Sequence, residues 1–189
     1  MESGSTAVRK TALSGAVAAL YVAVMYATQP FAFGGYQIRI ATSLYGLGYH
    51  FPFLIVPLGL SNMLSNVVLG GFGLPDAIGG ALAGLATAGC VRLVGRSRLP
   101  IWASAIPITL IPGLMVPIWL SPILGMPYAL LAFQVCVGQL APGLVGALLI
   151  GRVDKLGYTR LEGLRAPTGR RKGRVEGNGG KGGASDGQG

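Results

Sequence analysis

Ile101–Leu124 reads IWASAIPITLIPGLMVPIWLSPIL, with no charged side chain anywhere in it. A helix crosses the hydrocarbon core of a bilayer with about 20 apolar residues, so this stretch predicts a membrane span. Its prolines, Pro107, Pro112, Pro117 and Pro122, recur every fifth residue. On a helix that spacing places successive rings about 140° apart, so they form no single seam. Each interior proline deletes a backbone hydrogen bond, and the expectation is a kinked span rather than a hinge.

The pattern extends in both directions. Apolar runs over 11–28, 43–53, 54–70, 77–94 and 126–150 predict five further spans. GGFGLPD, residues 70–76, is a turn signal between two of them. Of 189 residues, 51% are hydrophobic and 11% charged, against about 25% charged in soluble domains. The expected class is an all-α membrane protein, a six-helix transmembrane bundle. The run after Arg9 and Lys10 reads as a retained first span rather than a cleaved signal.

The basic residues sort to one side of that bundle. Arg9 and Lys10 precede the first span, Arg92, Arg96 and Arg98 mark the loop near residue 97, and the chain after the last span is basic. The positive-inside rule therefore puts both termini in the cytoplasm of a multi-pass protein of the cell membrane. Three regions follow: a cytoplasmic N-terminus over 1–10, a six-span domain over 11–154, and a Gly-rich disordered tail over 155–189. The tail run Arg170, Arg171, Lys172 suits contact with anionic membrane lipid. Nine of the fifteen basic residues lie beyond Gly151, in a stretch that also holds four acids, so the net charge of +9 is not a nucleic-acid footprint.

Enzyme classes fall away one by one. His50 is the single histidine, which excludes a multi-histidine metal site. Asp76 is the single carboxylate within the spans, which excludes paired-carboxylate chemistry. No Gly-rich phosphate loop with its lysine occurs, so the chain has no ATPase motif of its own. A serine paired with His50 would lack its orienting carboxylate. Cys90 and Cys136 lie in apolar runs and read as small buried hydrophobes. No cofactor is implied.

What survives is a binding site. Arg39 and Asp76 are ionisable groups at or near membrane depth, where such groups face a cavity or a partner. Gln37 lies two residues before Arg39, and Asn62 and Asn66 share one helix face at a spacing of four. Amides offer donors and acceptors together, as the edge of a heterocycle requires. Phe31, Phe33, Tyr36, Tyr45 and Tyr49 supply flat surfaces for stacking. Each polar residue has a plainer reading: Asn62 and Asn66 as helix–helix hydrogen bonders, Asp76 as the N-cap of the next span, His50 as a packing residue. The first span also carries small residues every fourth position, Ala12 and Ala16 on one face and Gly15, Ala19 and Ala23 on another. Such faces let helices approach closely, either within the bundle or against a separate subunit.

Taken together, AALYV (18–22), Phe33-Gly34, YQIRI (36–40), Asn66 with GGFGLPD, GMPY (125–128) and VCVGQL (135–140) resemble the QueT family over residues 11–154. These are substrate-capturing S components of energy-coupling factor transporters. The resemblance implies a vitamin-like ligand held near the outer face, under the loops after the first and third spans. It implies a transmembrane coupling subunit docked on the small residues of the first span, and two ATPase subunits that supply energy. The substrates assigned to the family are queuosine precursors, 7-deazapurines.

Three positions depart from the family pattern. Where it continues S-E-A-L after the arginine, this chain has Ala41-Thr42-Ser43-Leu44. A Gly-Glu pair of the sixth span is Gly138-Gln139, so Gln139 carries over as a neutral candidate contact. A fifth-span asparagine has no counterpart over 112–117. A cationic amine would want those carboxylates, so the expected ligand is neutral: a nitrile-bearing deazapurine or another small heterocycle. The competing expectation is a non-transporting membrane scaffold that binds only protein.

Overall fold

The structure, a computed structural model, describes residues 2–70 and 72–156. The Gly-rich tail therefore lies, beyond Leu156, outside the described residues. Those residues form helices: α1 (Glu2–Ala27), the short α2 (Gln29–Ala32), a 3₁₀ helix over Ile40–Tyr49, α3 (Ile55–Ser65), α4 (Leu74–Arg96), α5 (Ala105–Leu124) and α6 (Tyr128–Lys155). A π-helical turn, Asn66–Gly70, prolongs α3. Two chain reversals rest on glycine: Gly73 (φ 81°) precedes α4, and Gly125 (φ 66°) closes α5 in the left-handed conformation that only glycine adopts without strain. Despite Pro112, Pro117 and Pro122 in its interior, α5 is one continuous helix.

Five stretches are long and apolar enough to cross a membrane: Thr6–Ala27, Pro52–Gly70, Leu74–Arg96, Ile101–Leu124 and Tyr128–Lys155. Among the described residues the sixth long helix expected over 43–53 is absent, and the structure corrects that reading. Ile40–Tyr49 is a buried 3₁₀ helix followed by the short turn Pro52–Leu54. Its ten residues are unusually many for this conformation, whose runs seldom exceed about four residues. At about 2.0 Å per residue it reaches further than an α-helix of equal length would.

Close packing makes that burial feasible. A Cβ on Gly46 would stand 2.7 Å from the Gly146 carbonyl oxygen, and one on Gly48 would stand 2.9 Å from that of Ala88. The backbone thus lies directly against α6 on one side and α4 on the other. Tyr45 reaches α1, its phenol 3.1 Å from that of Tyr21, both buried. The main core gathers Val17, Tyr21, Met25, Leu44, Leu54, Leu58, Val91, Ile108 and Ile150 around this segment.

The contacts also orient the helices. At one end Lys10 Nζ lies 5.8 Å from the Phe53 ring centroid, His50 Nε2 lies 3.4 Å from Asp154 Oδ1, and Arg92 Nη1 donates to the Tyr49 carbonyl at 2.8 Å. At the other end Gln29 Nε2 donates to the Leu69 carbonyl at 3.2 Å. The 3₁₀ helix runs alongside α6 from the level of Gln139 to that of Asp154. Its beginning holds Arg39, and its end meets the basic ends of α4 and α6.

Candidate ligand-binding site

Arg39 immediately precedes the 3₁₀ helix, where it is 97% shielded from solvent (3% exposed). Its guanidinium is held from three directions. Nε donates to the Ala32 carbonyl at 3.3 Å, and Nη1 donates to Asn62 Oδ1 at 3.3 Å and to Asn66 Oδ1 at 3.0 Å. The Phe33 ring covers one face, 4.8 Å from centroid to Cζ, a cation–π arrangement. Among the described residues no carboxylate lies within 4.0 Å of it. A buried cation is thus matched by neutral oxygens and a ring, and Nη2 has no partner.

The two asparagines complete their own bonding across to α4. Asn62 Nδ2 donates to the Gly80 carbonyl at 2.7 Å, and Asn66 Nδ2 to that of Asp76 at 2.9 Å. Their spacing of four puts both oxygens on one face of α3, aimed at the same guanidinium. They are helix-to-helix hydrogen bonders and Arg39 acceptors at once.

Asp76 is fully buried in the first turn of α4. The N-cap reading of the sequence is corrected: Gly73 caps that helix, and no side-chain cap bond forms. A carboxylate in the first turn is still favoured by the helix dipole. Trp119 Nε1 donates to Oδ1 at 3.0 Å, while Oδ2 has no partner. A Cβ on Gly70 would stand 3.0 Å from both Asp76 Oδ2 and the Phe33 ring edge. The unpartnered Asp76 oxygen and the edge of the ring that covers Arg39 thus both border Gly70.

Gln37 and Gln139 join the same array. Gln139 Nε2 donates to the Gln37 carbonyl at 3.0 Å, and the Thr42 hydroxyl lies 2.7 Å from both Gln139 Oε1 and the Arg39 carbonyl. Gln37 has a left-handed backbone (φ 47°) and a buried Oε1 without a partner. The structure thus brings Gln37, Arg39, Asn62, Asn66, Asp76 and Gln139 together.

Of the aromatic candidates, Phe33 alone stacks at this cluster. Phe31 and Tyr36 are exposed, Tyr45 bonds to Tyr21 in the core, and Tyr49 belongs to the far end with Arg92. His50 is buried beside the rings of Tyr49 and Phe51, with Nε2 3.4 Å from Asp154 Oδ1, at the end away from this cluster. Two contributors go unread in the sequence, Trp119 and the hydroxyl of Thr42. A tryptophan in a proline-rich apolar run carries no signal separating it from packing. Its one hint is that Gly79 in α4 leaves room for the ring, since a Cβ there would stand 2.5 Å from it.

A buried polar atom without a partner costs about 1–3 kcal/mol. Among the described residues, the buried side-chain atoms without a hydrogen-bond partner include one donor in this array, Arg39 Nη2, and two acceptors, Gln37 Oε1 and Asp76 Oδ2; Ser104 Oγ and Gln134 Oε1 share that state elsewhere. A family profile described as the QueT transporter matches residues 11–155, which is most of the chain. The chain belongs to the QueT transporter family. QueT proteins are S components of energy-coupling factor transporters, so this QueT chain is a membrane transporter component with several membrane-crossing helices. No significant match was found among curated proteins or among solved structures.

The remaining predicted residues of this QueT chain lie elsewhere. Ala12, Gly15, Ala16, Ala19 and Ala23 are all exposed on the outside of α1. A Cβ on Gly15 would meet nothing within 4 Å. The small face is therefore not used to pack this bundle internally.

Proposed function

We propose that the chain captures a small, neutral, planar heterocycle, a queuosine-type 7-deazapurine precursor, for import by an energy-coupling factor transporter. The observation that carries this reading is the trio of buried, unpartnered atoms on Gln37, Arg39 and Asp76. A purine-like edge presents hydrogen-bond acceptors and N–H donors side by side, which suits one cationic donor flanked by two acceptors. Arg39 and Asp76 cancel in charge, and the neutral Gln139 adds none, so a neutral ligand fits better than a cationic amine. Phe33 supplies a ring face beside the same atoms. A scaffold that binds only protein would have no use for polar groups left unpaired inside the bundle.

The site faces outward and both termini are cytoplasmic in this reading, in the cell membrane. The 3₁₀ helix then serves as the return passage between α1 and α3, and Arg92, Arg96, Lys10 and Lys155 gather on the cytoplasmic side. The exposed small face of α1 receives the transmembrane coupling subunit, which two ATPase subunits energise. Isothermal titration of the purified protein with a nitrile-bearing 7-deazapurine tests the substrate. Saturable binding that a cationic amine analogue fails to match is expected, and no binding of either base would sink the reading. Cysteines placed near 71 or 121 should be labelled from outside, and one near 97 should not.

A further inference from the structure

Gln37 is the one non-glycine residue, among those described, with a backbone in the left-handed region. Side chains of ordinary L-residues are strained there, and such strain persists only where surrounding structure enforces it. The enforcement is visible. Gln37 N–H donates to the Gly34 carbonyl at 3.0 Å, and Ile38 N–H donates to that of Phe31 at 2.9 Å. The Gln37 carbonyl accepts from Gln139 Nε2. The preceding carbonyl, that of Tyr36, lies so close over Gly138 of α6 that any side chain at 138 would collide with it. After these constraints the Gln37 side chain is 97% shielded (3% exposed), yet its Oε1 has no partner. Glycine would meet the backbone requirement of this turn without strain.

We propose that Gln37 is a specificity-determining residue that accepts an N–H of the heterocycle through Oε1, and that Gln139 is the positioning residue that holds it there. This rests on the reading of the site as one for a planar heterocycle. Gln139 suits the task because it donates to the Gln37 carbonyl and lies in reach of the Thr42 hydroxyl on its other end. A carboxylate at 139 would have no N–H to give and would face the Gln37 oxygen with a like partial charge. Gln139 need not touch the ligand.

The decisive variant is Gln37→Gly, which keeps the left-handed backbone comfortable and removes the amide together with its two-carbon stem. Without ligand its Tm should equal or exceed that of the unaltered protein. A clear fall would mean that the amide is structural and would overturn the proposal. With ligand, titrations use nitrile-bearing 7-deazapurines in which each N–H donor is deleted in turn. One deletion should cost the unaltered protein about tenfold in affinity, the size of a single buried hydrogen bond, and cost Gln37→Gly almost nothing. Equal losses in both proteins overturn the proposal while leaving the substrate reading intact. Failure of the unaltered protein to bind any of these bases overturns both. Gln139→Leu should weaken binding similarly, and the double variant should bind no worse than Gln37→Gly alone, because a positioning residue has nothing left to position. Additive losses would make Gln139 an independent contact.

Discussion

The buried polar cluster and the exposed face of α1 withhold opposite things. Around Arg39 the fold brings six polar side chains together, buries them, and leaves three of their atoms without hydrogen-bond partners. Along α1, between the exposed Val8 and Tyr26 and with Leu20 at the edge, it exposes Ala12, Gly15, Ala16, Ala19 and Ala23, withholding bulk from the middle of a surface that faces outward. The other helices show that this is not how the molecule meets lipid. On α6 the corresponding outward stripe is Leu140, Leu144 and Leu148, and on α5 it is Leu110, Leu114 and Ile118. The share of each apolar stretch buried within the bundle is 17% for α1 and 39–50% for the other four. A buried polar cluster that lacks partners suits a small polar ligand, whereas a helix that lacks bulk suits another helix. The two regions should therefore fail independently.

Ala16→Trp tests that separation with the largest expected effect. The indole would hold an approaching helix away from α1, so co-purification with the coupling subunit and uptake should be lost. Ligand binding by the isolated protein should persist. Leu144→Trp, on the large-residue face of α6, should leave uptake unchanged. Loss of ligand binding in Ala16→Trp would show that the small face supports the bundle, and the comparison would collapse.

Arg39→Ala breaks the other side. It removes a charged donor expected to contribute about 1.5–3 kcal/mol to binding, which is roughly ten- to hundredfold in Kd. It also strips Asn62 Oδ1 and Asn66 Oδ1 of their Arg39 donor, so Tm should fall as well. Co-purification with the coupling subunit should survive in whatever fraction remains folded. Unchanged affinity together with an unchanged Tm would remove Arg39 from the site.

Much of this arrangement is legible in the amino-acid sequence itself. Arg39 and Asp76 stand out because charge is costly among apolar neighbours, and Asn62 and Asn66 because amides at a spacing of four must share a face. The exposed small face of α1 follows from the same periodicity, although its direction does not: periodicity separates faces without saying which one is covered. The segment near 43–53 escapes such a reading because a run of eleven mostly apolar residues is silent about conformation. Gly46 and Gly48 are the available signal, since they let backbone lie on backbone against α6 and α4. Tyr49 is misplaced with it, because an extended, threefold winding carries it away from the Arg39 end faster than an α-helix would. Trp119 is illegible for another reason, as its partner Asp76 lies 43 residues earlier in the chain.

Trp119→Phe sharpens the picture at intermediate size. It keeps the ring against Gly79 and deletes the bond to Asp76 Oδ1, leaving both carboxylate oxygens unpaired. A hydrogen bond to a charged group contributes about 1.5–3 kcal/mol, shared here between stability and the aim of the carboxylate. Lower Tm and several-fold weaker ligand binding should appear together. A variant that binds as tightly as before would show that Asp76 serves the fold alone.

The smallest expected effect comes from Thr42→Val, and it probes the line between the two regions. The Thr42 hydroxyl is 2.7 Å from the Arg39 carbonyl and 2.7 Å from Gln139 Oε1, and its single proton serves one of them at a time. Valine keeps the branched shape and removes a bond whose net contribution is about 0.5–1.5 kcal/mol. Ligand affinity should drop severalfold at most, with docking unaffected. Yet Thr42 lies only three residues before Tyr45, whose phenol meets Tyr21 on the inner side of α1, opposite the exposed small face. If the polar cluster and the docking face are separate devices, a change at Thr42 stays on the ligand side. If co-purification with the coupling subunit weakens as much as binding does, the 3₁₀ helix transmits between them, and the independence argued from Ala16 and Arg39 gives way to coupling through Tyr45.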